Sequence, residues 1–262
     1  MKDSSILRLM PDTPLHLLKV PVRADRLAAL ARRRGISLRT LDDGYLAHCL
    51  LTELWQLAAP RPFVLRGHGR TLDVWGYSES DATALKDHAR LFGDPATIEA
   101  LSGVEEIASR TVPTVAPGRR VGFLLRACPI ARLANSTNGN RHGAEVDVFL
   151  AKGFSAGSGG RPSREDAYRQ WLIDHLNHAS SGIRSVNVRV AAFARTRLVR
   201  RTQGVERRAM TLERPDVRFE GEVVVEDGDV FRNFLARGVG RHKAFGFGAM
   251  ILVPPGTSYP NA

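Results

Sequence analysis

The sequence predicts an α+β protein made of two similar halves. Apolar runs of strand length alternate along the chain with segments in which apolar residues recur at three- and four-residue spacing. The pair Pro117-Gly118 stands near the middle of the chain, and a new apolar run begins just after it. We therefore expect two domains, one over residues 1–117 and a second over residues 118–262.

The first half is predicted, in chain order, to hold a strand, two helices, two strands and a mainly helical segment. Leucines at helical spacing predict the second helix, and prolines after it predict its end. A Gly-His-Gly turn separates the two later strands. The predicted elements are the strand Leu15–Val22, the helices Asp25–Arg34 and Tyr45–Ala58, the strands Phe63–Leu65 and Thr71–Trp75, and the helical segment Asp81–Ala108.

The second half is predicted to hold a strand, a stretch rich in Gly, Ser and Asn, a helix, two strands, a helix and a last strand. Ser163 is a suitable N-cap for the first of these helices. The predicted elements are the strand Val121–Ala127, the loop-like stretch Asn135–Gly160, the helix Ser163–Ala179, the strands Ser185–Arg195 and Arg218–Val225, the helix Asp229–Arg237 and the strand Ala249–Val253. Each half thus approximates the βαββαβ order of a ferredoxin-like (RRM-like) domain with insertions, a common platform for RNA.

The charge of the chain indicates the class of ligand. There are 38 Lys and Arg against 27 Asp and Glu, which gives a net charge of +11. Arginine supplies most of the positive charge, and its planar guanidinium binds phosphate oxygens and stacks on bases, so the excess favours a nucleic-acid ligand. A GC-rich genome also favours arginine over lysine, but it does not explain the positive excess.

Several classes of protein are not expected. No apolar run approaches the roughly 20 residues of a membrane span, and the first residues lack a signal-peptide core, so we expect a cytoplasmic protein without membrane contact. Cys49 and Cys128 stand far apart and outside any CxxC spacing, which disfavours a zinc site or a disulfide framework. His175 and His178 have no evident third ligand and favour a solvated helix face. We expect no metal and no cofactor.

The segment Gly238 to Gly248 is the most specific motif. It reads GVGRHKAFGFG, with three consecutive basic residues, Arg241, His242 and Lys243. Glycines let a backbone approach another chain closely, and neighbouring cations suit a phosphodiester. Neither GxGxxG nor GK[ST] occurs in it. A tight turn before the last strand would explain the glycines but not the basic triplet.

Three motifs carry a resemblance to a known family. The glycine-rich segment and the strand after it closely resemble the C-terminal loop and last strand of CRISPR RNA-processing endoribonucleases of the repeat-associated (RAMP) superfamily. Arg126 to Arg132, RACPIAR, resembles the R-A-x-P motif that opens their second domain. Tyr45 to His48, YLAH, resembles the helix that carries the catalytic histidine in the CasE (type I-E) branch. The motifs occur in the order of the family, whereas the sequence between them matches poorly.

The resemblance implies tandem ferredoxin-like domains that bind the hairpin of a CRISPR repeat and cut it at its 3′ base. In such enzymes the ribose 2′-hydroxyl attacks the adjacent phosphate without a metal, giving a 2′,3′-cyclic phosphate and a 5′-hydroxyl. His48 is the candidate base, because imidazole titrates near neutral pH. A satisfied core histidine is the alternative. Tyr45 would orient the ribose or simply pack.

The chain departs from the CasE pattern in its length and in an arginine-rich loop after the first strand. These departures suggest a divergent branch, such as the processing subunit of a type IV system. In that case Arg23, Arg39 and Arg241 would stabilise the transition state by charge, with the histidine secondary. Arginine cannot readily act as a base, because its pKa stays above about 12, so such a site would cut slowly.

The stretch Arg184 to Arg218 is strongly basic, with ten arginines against three acidic residues. Its centre, Arg195 to Arg208, is predicted to form a hairpin or loop with a turn at Gln203-Gly204. In the resembling family an element at this position grips the RNA stem; a solvated charged loop is the alternative. The predicted RNA-binding residues are Arg119, Arg120, Arg126, Arg132, Arg195, Arg197, Arg200, Arg201, Arg207, Arg208, His242 and Lys243.

The sequence thus predicts a metal-independent endoribonuclease that cuts CRISPR precursor RNA and keeps the mature guide within an effector complex with other subunits. A non-catalytic RNA-binding subunit of such a complex is the second hypothesis. A basic DNA-binding regulator is the third, disfavoured because no helix-turn-helix pattern stands out. Cleavage of RNA in EDTA would support the endoribonuclease. Hairpin binding without cleavage would support the RNA-binding subunit, and a preference for duplex DNA would support the regulator.

Overall fold

The computed structural model describes residues 13–33, 43–67, 69–136, 139, 141–155, 163–201 and 209–259. Its strands form two four-stranded sheets and one two-stranded sheet, and every strand pair in them is antiparallel. Among the described residues, no helix combines the length and apolarity needed to cross a bilayer.

The first four-stranded sheet uses residues from the first half of the chain. The elements are β1 His16–Arg23, α1 Ala24–Arg33, α2 Asp43–Trp55, β2 Phe63–Arg66, β3 Thr71–Ser78, α3 Ala82–Phe92, α4 Pro95–Ile98 and β4 Ala108–Thr111. The strand order is β2-β3-β1-β4. Strand β1 pairs along its whole length with β3, from His16 opposite Ser78 to Arg23 opposite Thr71. This is the arrangement of a ferredoxin-like unit, with one additional helix between β1 and β2.

The second half repeats this arrangement. Its elements are β5 Arg120–Ala127, β6 Ile130–Arg132, β7 Glu145–Asp147, α5 Val148–Ser155, α6 Arg164–Leu176, β8 Ile183–Arg201, β9 Ala209–Val225, α7 Gly228–Arg237 and β10 Met250–Val253. The strand order is β10-β5-β9-β8. It matches the first sheet when that sheet is written from its other edge, as β4-β1-β3-β2. The pair β6-β7 and helix α5 form an insertion between β5 and α6. The predicted fold, two tandem ferredoxin-like units with insertions, is confirmed.

Alternation along the strands places an apolar core on one face of each sheet. In β1, Leu18, Val20 and Val22 are buried in the first core, together with the leucine face of α2. In β5, Phe123 and Leu125 are buried in the second core, which also contains the apolar side of α6. Full burial of each such side chain stabilises the folded state by about 1.5–3 kcal/mol. Each unit therefore has a core of its own.

The two units also contact each other. Tyr77, on β3 of the first unit, is buried in the core of the second, and its hydroxyl donates a hydrogen bond of 2.5 Å to the Met250 carbonyl. Val64 of β2 packs with Ala249, which precedes the last strand, and with Ile251 of that strand. The segment that precedes β10 is consequently held beside the first unit.

Three parts of the predicted secondary structure need correction. Strand β4 lies just past the predicted helical segment; its four residues are all exposed, so no apolar alternation marks it. Inside the predicted loop Asn135–Gly160, residues 145–155 form β7 and α5. Strands β8 and β9 are longer than predicted, and the predicted turn at Gln203-Gly204 lies outside the described residues.

The connection between the two sheets runs from the end of β4 at Thr111 to the start of β5 at Arg120. The division into domains at residues 117 and 118 lies within this connection and remains a proposal.

Candidate functional site

Helix α2 carries Tyr45 and His48 on a half-buried face beside its leucine face. Nδ1 of His48 lies 3.3 Å from the hydroxyl of Thr52, one turn further along the helix. Burial lowers the pKa of His48, and the nearby charge of Arg61 lowers it further. Both effects favour the neutral imidazole, the state in which it can accept a proton.

The glycine-rich segment packs against this helix. The turn Lys243–Phe245 contacts α2, and the rings of Phe245 and Tyr45 stack with their centroids 5.8 Å apart. At Gly238 the backbone has φ of 70°, and an added Cβ would lie 2.6 Å from Cγ of Pro62. Only glycine fits such an approach without displacing the chain. Two motifs from opposite ends of the sequence thus meet at one place.

The R-A-x-P motif holds the same segment from the second unit. The Gly248 N–H donates to the Arg126 carbonyl at 2.8 Å. The Arg126 guanidinium lies 4.4 Å from the ring centroid of Phe247 and donates two hydrogen bonds, of 2.9 and 2.6 Å, to the Asp216 carboxylate on β9. Arg126, predicted to bind RNA, is thus held by an acid and fixes the segment.

Arg61 adds positive charge near His48 and near Lys243. The Lys243 ammonium donates to the Arg237 carbonyl. Burial, followed by the charges of Arg61 and Arg237, lowers the pKa of Lys243 to about 8. The Arg61 charge acts on both His48 and Lys243, so Arg61 links the helix to the basic triplet. The sequence did not identify Arg61; its position between two prolines is the one signal there, and it does not indicate function.

Glu145 is the centre of a second cluster, on the other side of the basic triplet. One carboxylate oxygen lies 2.7 Å from Arg241 Nε, and the other lies 3.1 Å from His242 Nε2 and 3.7 Å from Arg214. Burial alone would raise the pKa of Glu145, but the charges of His242, Arg241 and Arg214 together lower it. Burial lowers the pKa of His242. Sequence reasoning missed Glu145, because it lies in a stretch rich in Gly, Ser and Asn.

The four predicted catalytic residues have different surroundings. His48 and Arg241 belong to the two elements that meet, although Arg241 pairs with Glu145. Arg23 lies at the end of β1, where its guanidinium donates to Asp25 at 2.9 Å. Arg39 lies outside the described residues.

The predicted RNA-binding arginines divide by their contacts. Arg120 pairs with Glu222, and Arg195 lies 3.6 Å from Glu213. Arg119, Arg132 and Arg197 are exposed. For the remaining four, the structure does not describe the side chains; they are Arg200, Arg201, Arg207 and Arg208.

His175 and His178 each use one ring nitrogen locally. Nδ1 of His175 lies 2.8 Å from the Trp171 carbonyl, and Nδ1 of His178 accepts from the Ser180 N–H at 3.2 Å. Within the part of the chain that the structure describes, no group of three His, Cys, Asp or Glu side chains is arranged to hold a metal ion.

Comparison with known protein families shows the family to which the chain belongs. The family described as CRISPR associated protein matches residues 15–254. This chain belongs to that family. The predicted kinship with CRISPR-associated proteins is therefore confirmed, and the match spans both ferredoxin-like units.

Solved structures of CRISPR proteins share the fold. A CRISPR endoribonuclease Cse3 bound to a 19 nt RNA is 21% identical, with 92% of this chain and 100% of that chain covered and a TM-score of 0.60. Cse3 of Thermus thermophilus, bound to an RNA representing a pre-cleavage complex, is 20% identical at the same coverage, with a TM-score of 0.57. A chain of a CRISPR RNA-guided surveillance complex is 19% identical, covering 92% and 99%, with a TM-score of 0.53. No curated protein matches the chain.

Proposed function

We propose that this chain is a cytoplasmic endoribonuclease that binds the hairpin of CRISPR precursor RNA and cuts it to the mature guide. One observation carries the proposal: the helix with His48 and the glycine-rich segment with its basic side chains meet where the two units contact. The fold, shared with an endoribonuclease bound to RNA, supports it.

The proposed reaction is an attack by the ribose 2′-hydroxyl on the adjacent phosphorus. His48 takes the hydroxyl proton at Nε2, which requires the tautomer whose Nδ1–H donates to the Thr52 hydroxyl. The bond from phosphorus to the 5′-oxygen breaks, and a 2′,3′-cyclic phosphate and a 5′-hydroxyl remain. Protein side chains serve both as the base for the 2′-hydroxyl and as the acid for the 5′-oxygen, so the proposed reaction needs no metal or cofactor.

Arg61 and Lys243 are the cations proposed to stabilise the charge that develops on the phosphate. Arg61 supplies a permanent charge. Lys243, whose pKa of about 8 keeps it protonated at neutral pH, is the candidate donor of a proton to the leaving 5′-oxygen. Arg23, Arg39 and Arg241 remain proposed contributors to the same charge.

The RNA stem is proposed to lie along the long pair β8-β9. Arg197 is exposed on β8, and Arg119 and Arg132 are exposed on the second unit. Exposed guanidinium groups bind phosphates and release counterions, which favours binding at low salt. After cleavage, the stem is proposed to stay bound as part of an effector complex with other CRISPR subunits.

A second candidate is an RNA-binding subunit of such a complex without cleavage. The structure gives a specific reason to consider it, because acids neutralise two of the predicted catalytic arginines: Asp25 pairs with Arg23, and Glu145 with Arg241.

Cleavage of the host's CRISPR repeat RNA in EDTA separates the two candidates. We expect the wild type to cut the repeat and His48→Ala to lose at least 100-fold in rate, the order expected for a general base. His142→Ala, which removes an exposed histidine from a loop of the second unit, is the matched control and should cut normally. If the wild type binds the repeat tightly but does not cut it, the proposed endoribonuclease activity is contradicted. The RNA-binding subunit without cleavage is then the remaining candidate.

A further inference from the structure

A pocket of about 520 Å³ opens beside the glycine-rich segment. Its walls come from Ile130 of β6, helix α6, the turn that follows α6, the end of α7, residues 238–241 and Lys243. Its volume lies in the range of about 300–1,000 Å³ that small-molecule pockets occupy, and it is too small for an RNA stem.

The pocket lining carries positive charge. Arg237, Arg241 and Lys243 line it, and Asp174 is the acidic residue among the lining side chains. The Arg237 guanidinium is fixed by hydrogen bonds of 3.0 Å to the carbonyl and hydroxyl oxygens of Ser180. Arg241 is about half exposed, at 49%, and its Nε pairs with Glu145 at 2.7 Å. Fixed and accessible guanidinium groups are suited to a phosphate.

Aromatic rings also line the pocket. The ring of His175 packs on that of Trp171, with centroids 4.3 Å apart, and His178 extends the wall. An added Cβ at Gly240 would lie 3.0 Å from two carbons of the Trp171 ring, so the segment covers the indole closely. Since Nδ1 of both histidines has a local partner, Nε2 is the ring nitrogen left to a ligand.

We propose that this pocket binds one unpaired nucleotide of the RNA, with its base against the imidazoles and its phosphate at Arg241 and Lys243. This inference rests on the proposed function, because the nucleotide belongs to the same RNA strand. The segment that lines the pocket also packs against α2, so a strand that leaves His48 reaches the pocket next. With a cut at the 3′ base of the stem, the bound nucleotide is the one that follows the scissile phosphate.

The experiment measures the affinity of repeat hairpins that carry a 2′-deoxy sugar at the scissile position and are therefore not cut. One hairpin ends at the scissile phosphate, a second continues for three nucleotides on the 3′ side, and a third has an abasic first nucleotide in that extension. We expect the extension to tighten wild-type binding about tenfold, the order of one stacked base, and the abasic residue to remove most of this gain.

Variants assign the gain to the pocket. His175→Ala and His178→Ala should abolish the gain from the extension and leave the affinity for the hairpin without it unchanged. His178 is exposed on a turn, so its variant tests the wall without loss of core packing. Glu165→Ala, in the exposed first turn of α6 and away from the pocket, is the control and should keep the gain.

The outcomes separate this inference from the proposed function. Equal wild-type affinity for the extended and unextended hairpins overturns the pocket assignment alone, as does a gain that both histidine variants retain. Failure of the wild type to bind any of the hairpins overturns the proposed function, and the pocket assignment with it.

Discussion

His48 and Lys243 are basic groups whose pKa values are lowered by burial and by the charge of Arg61. The shift of His48 favours its neutral, proton-accepting form, and the shift of Lys243 brings the pKa of the acid closer to neutral pH. Histidine 48 could be singled out from the sequence, because a motif surrounds it. Arg61 and Glu145 could not, since each gains its role from a partner distant in sequence and neither lies in a recognisable pattern.

The pH dependence of cleavage follows from these two groups. Because the pKa of His48 is lowered from 6.5, the decline of the single-turnover rate in acid should occur at lower pH than for an ordinary histidine. Deprotonation of Lys243 should lower the rate as pH rises through about 8. Arg61→Gln removes one cause of the His48 shift and should move the acid limb to higher pH, whatever its effect on the maximal rate. An acid limb that stays in place in this variant would show that Arg61 does not act on the base.

The ion cluster at Glu145 should contribute to stability. Glu145→Gln leaves Arg241 and His242 without their carboxylate partner, and we expect unfolding to become easier by about 1–3 kcal/mol at pH 7, measured by urea denaturation. Because the pKa of Glu145 is lowered in the folded protein, this contribution is present above its ordinary pKa of 4.5 and is lost as pH falls below that. Glu165→Gln on an exposed turn should change stability by less than about 0.5 kcal/mol. Equal effects of the two substitutions would contradict a specific role for Glu145.

Among the elements, those with a regular apolar pattern could be predicted and those without one could not. The leucines of α2 predicted that helix, and they are buried in the first core. Strand β4 lies at the edge of its sheet with all four residues exposed, so its pairing with β1 leaves no trace in the hydrophobic pattern. The insertion with β7 and α5 was hidden by small and polar neighbours. The elements that form the site were thus predictable, but their meeting depends on pairings across the whole chain.

The close approach of the glycine-rich segment to Pro62 should be necessary for cleavage. Gly238→Ala places a methyl group 2.6 Å from the Pro62 ring and pushes the segment away from Arg61. We expect the cleavage rate to fall at least tenfold, while RNA affinity changes less. Gly118→Ala has a similar φ of 82° but no atom within 4 Å of the added methyl, so it is a control for backbone strain alone. If both variants cut RNA at the same reduced rate, backbone strain rather than loop placement is responsible.

The strand pair β8-β9 should carry part of the binding to phosphates. Arg197→Ala removes an exposed cation from β8 and should reduce the slope of log affinity against log salt by about 1 in a filter-binding titration. Arg184 lies on the same strand, 3.4 Å from Glu226, and Arg184→Ala should change the slope less. A salt slope that is unchanged in Arg197→Ala would argue against a stem bound along this pair.

At the scale of the whole molecule, two ferredoxin-like units share an interface and the proposed site lies beside it. The excess of arginine and the alternation of strands and helices predicted the class of ligand and the tandem fold. The interface itself was not predictable. Residues such as Tyr77 and Met250 belong to strands whose apolar patterns are explained by their own sheets, so those patterns do not indicate a contact between the units. The basic DNA-binding regulator considered from the sequence loses support, because the chain is a CRISPR-associated protein and its glycine-rich segment packs against α2.

Replacement of the ribose at the scissile position by 2′-deoxyribose is the measurement that most directly tests cleavage by this molecule. In EDTA, the all-ribose repeat hairpin should be cut to a fragment with a 2′,3′-cyclic phosphate and a fragment with a 5′-hydroxyl. The 2′-deoxy hairpin should bind equally well and remain intact, because the attacking hydroxyl is missing. Cleavage of the 2′-deoxy hairpin, or a 5′-phosphate on the product, would contradict attack by the 2′-hydroxyl with His48 as the base.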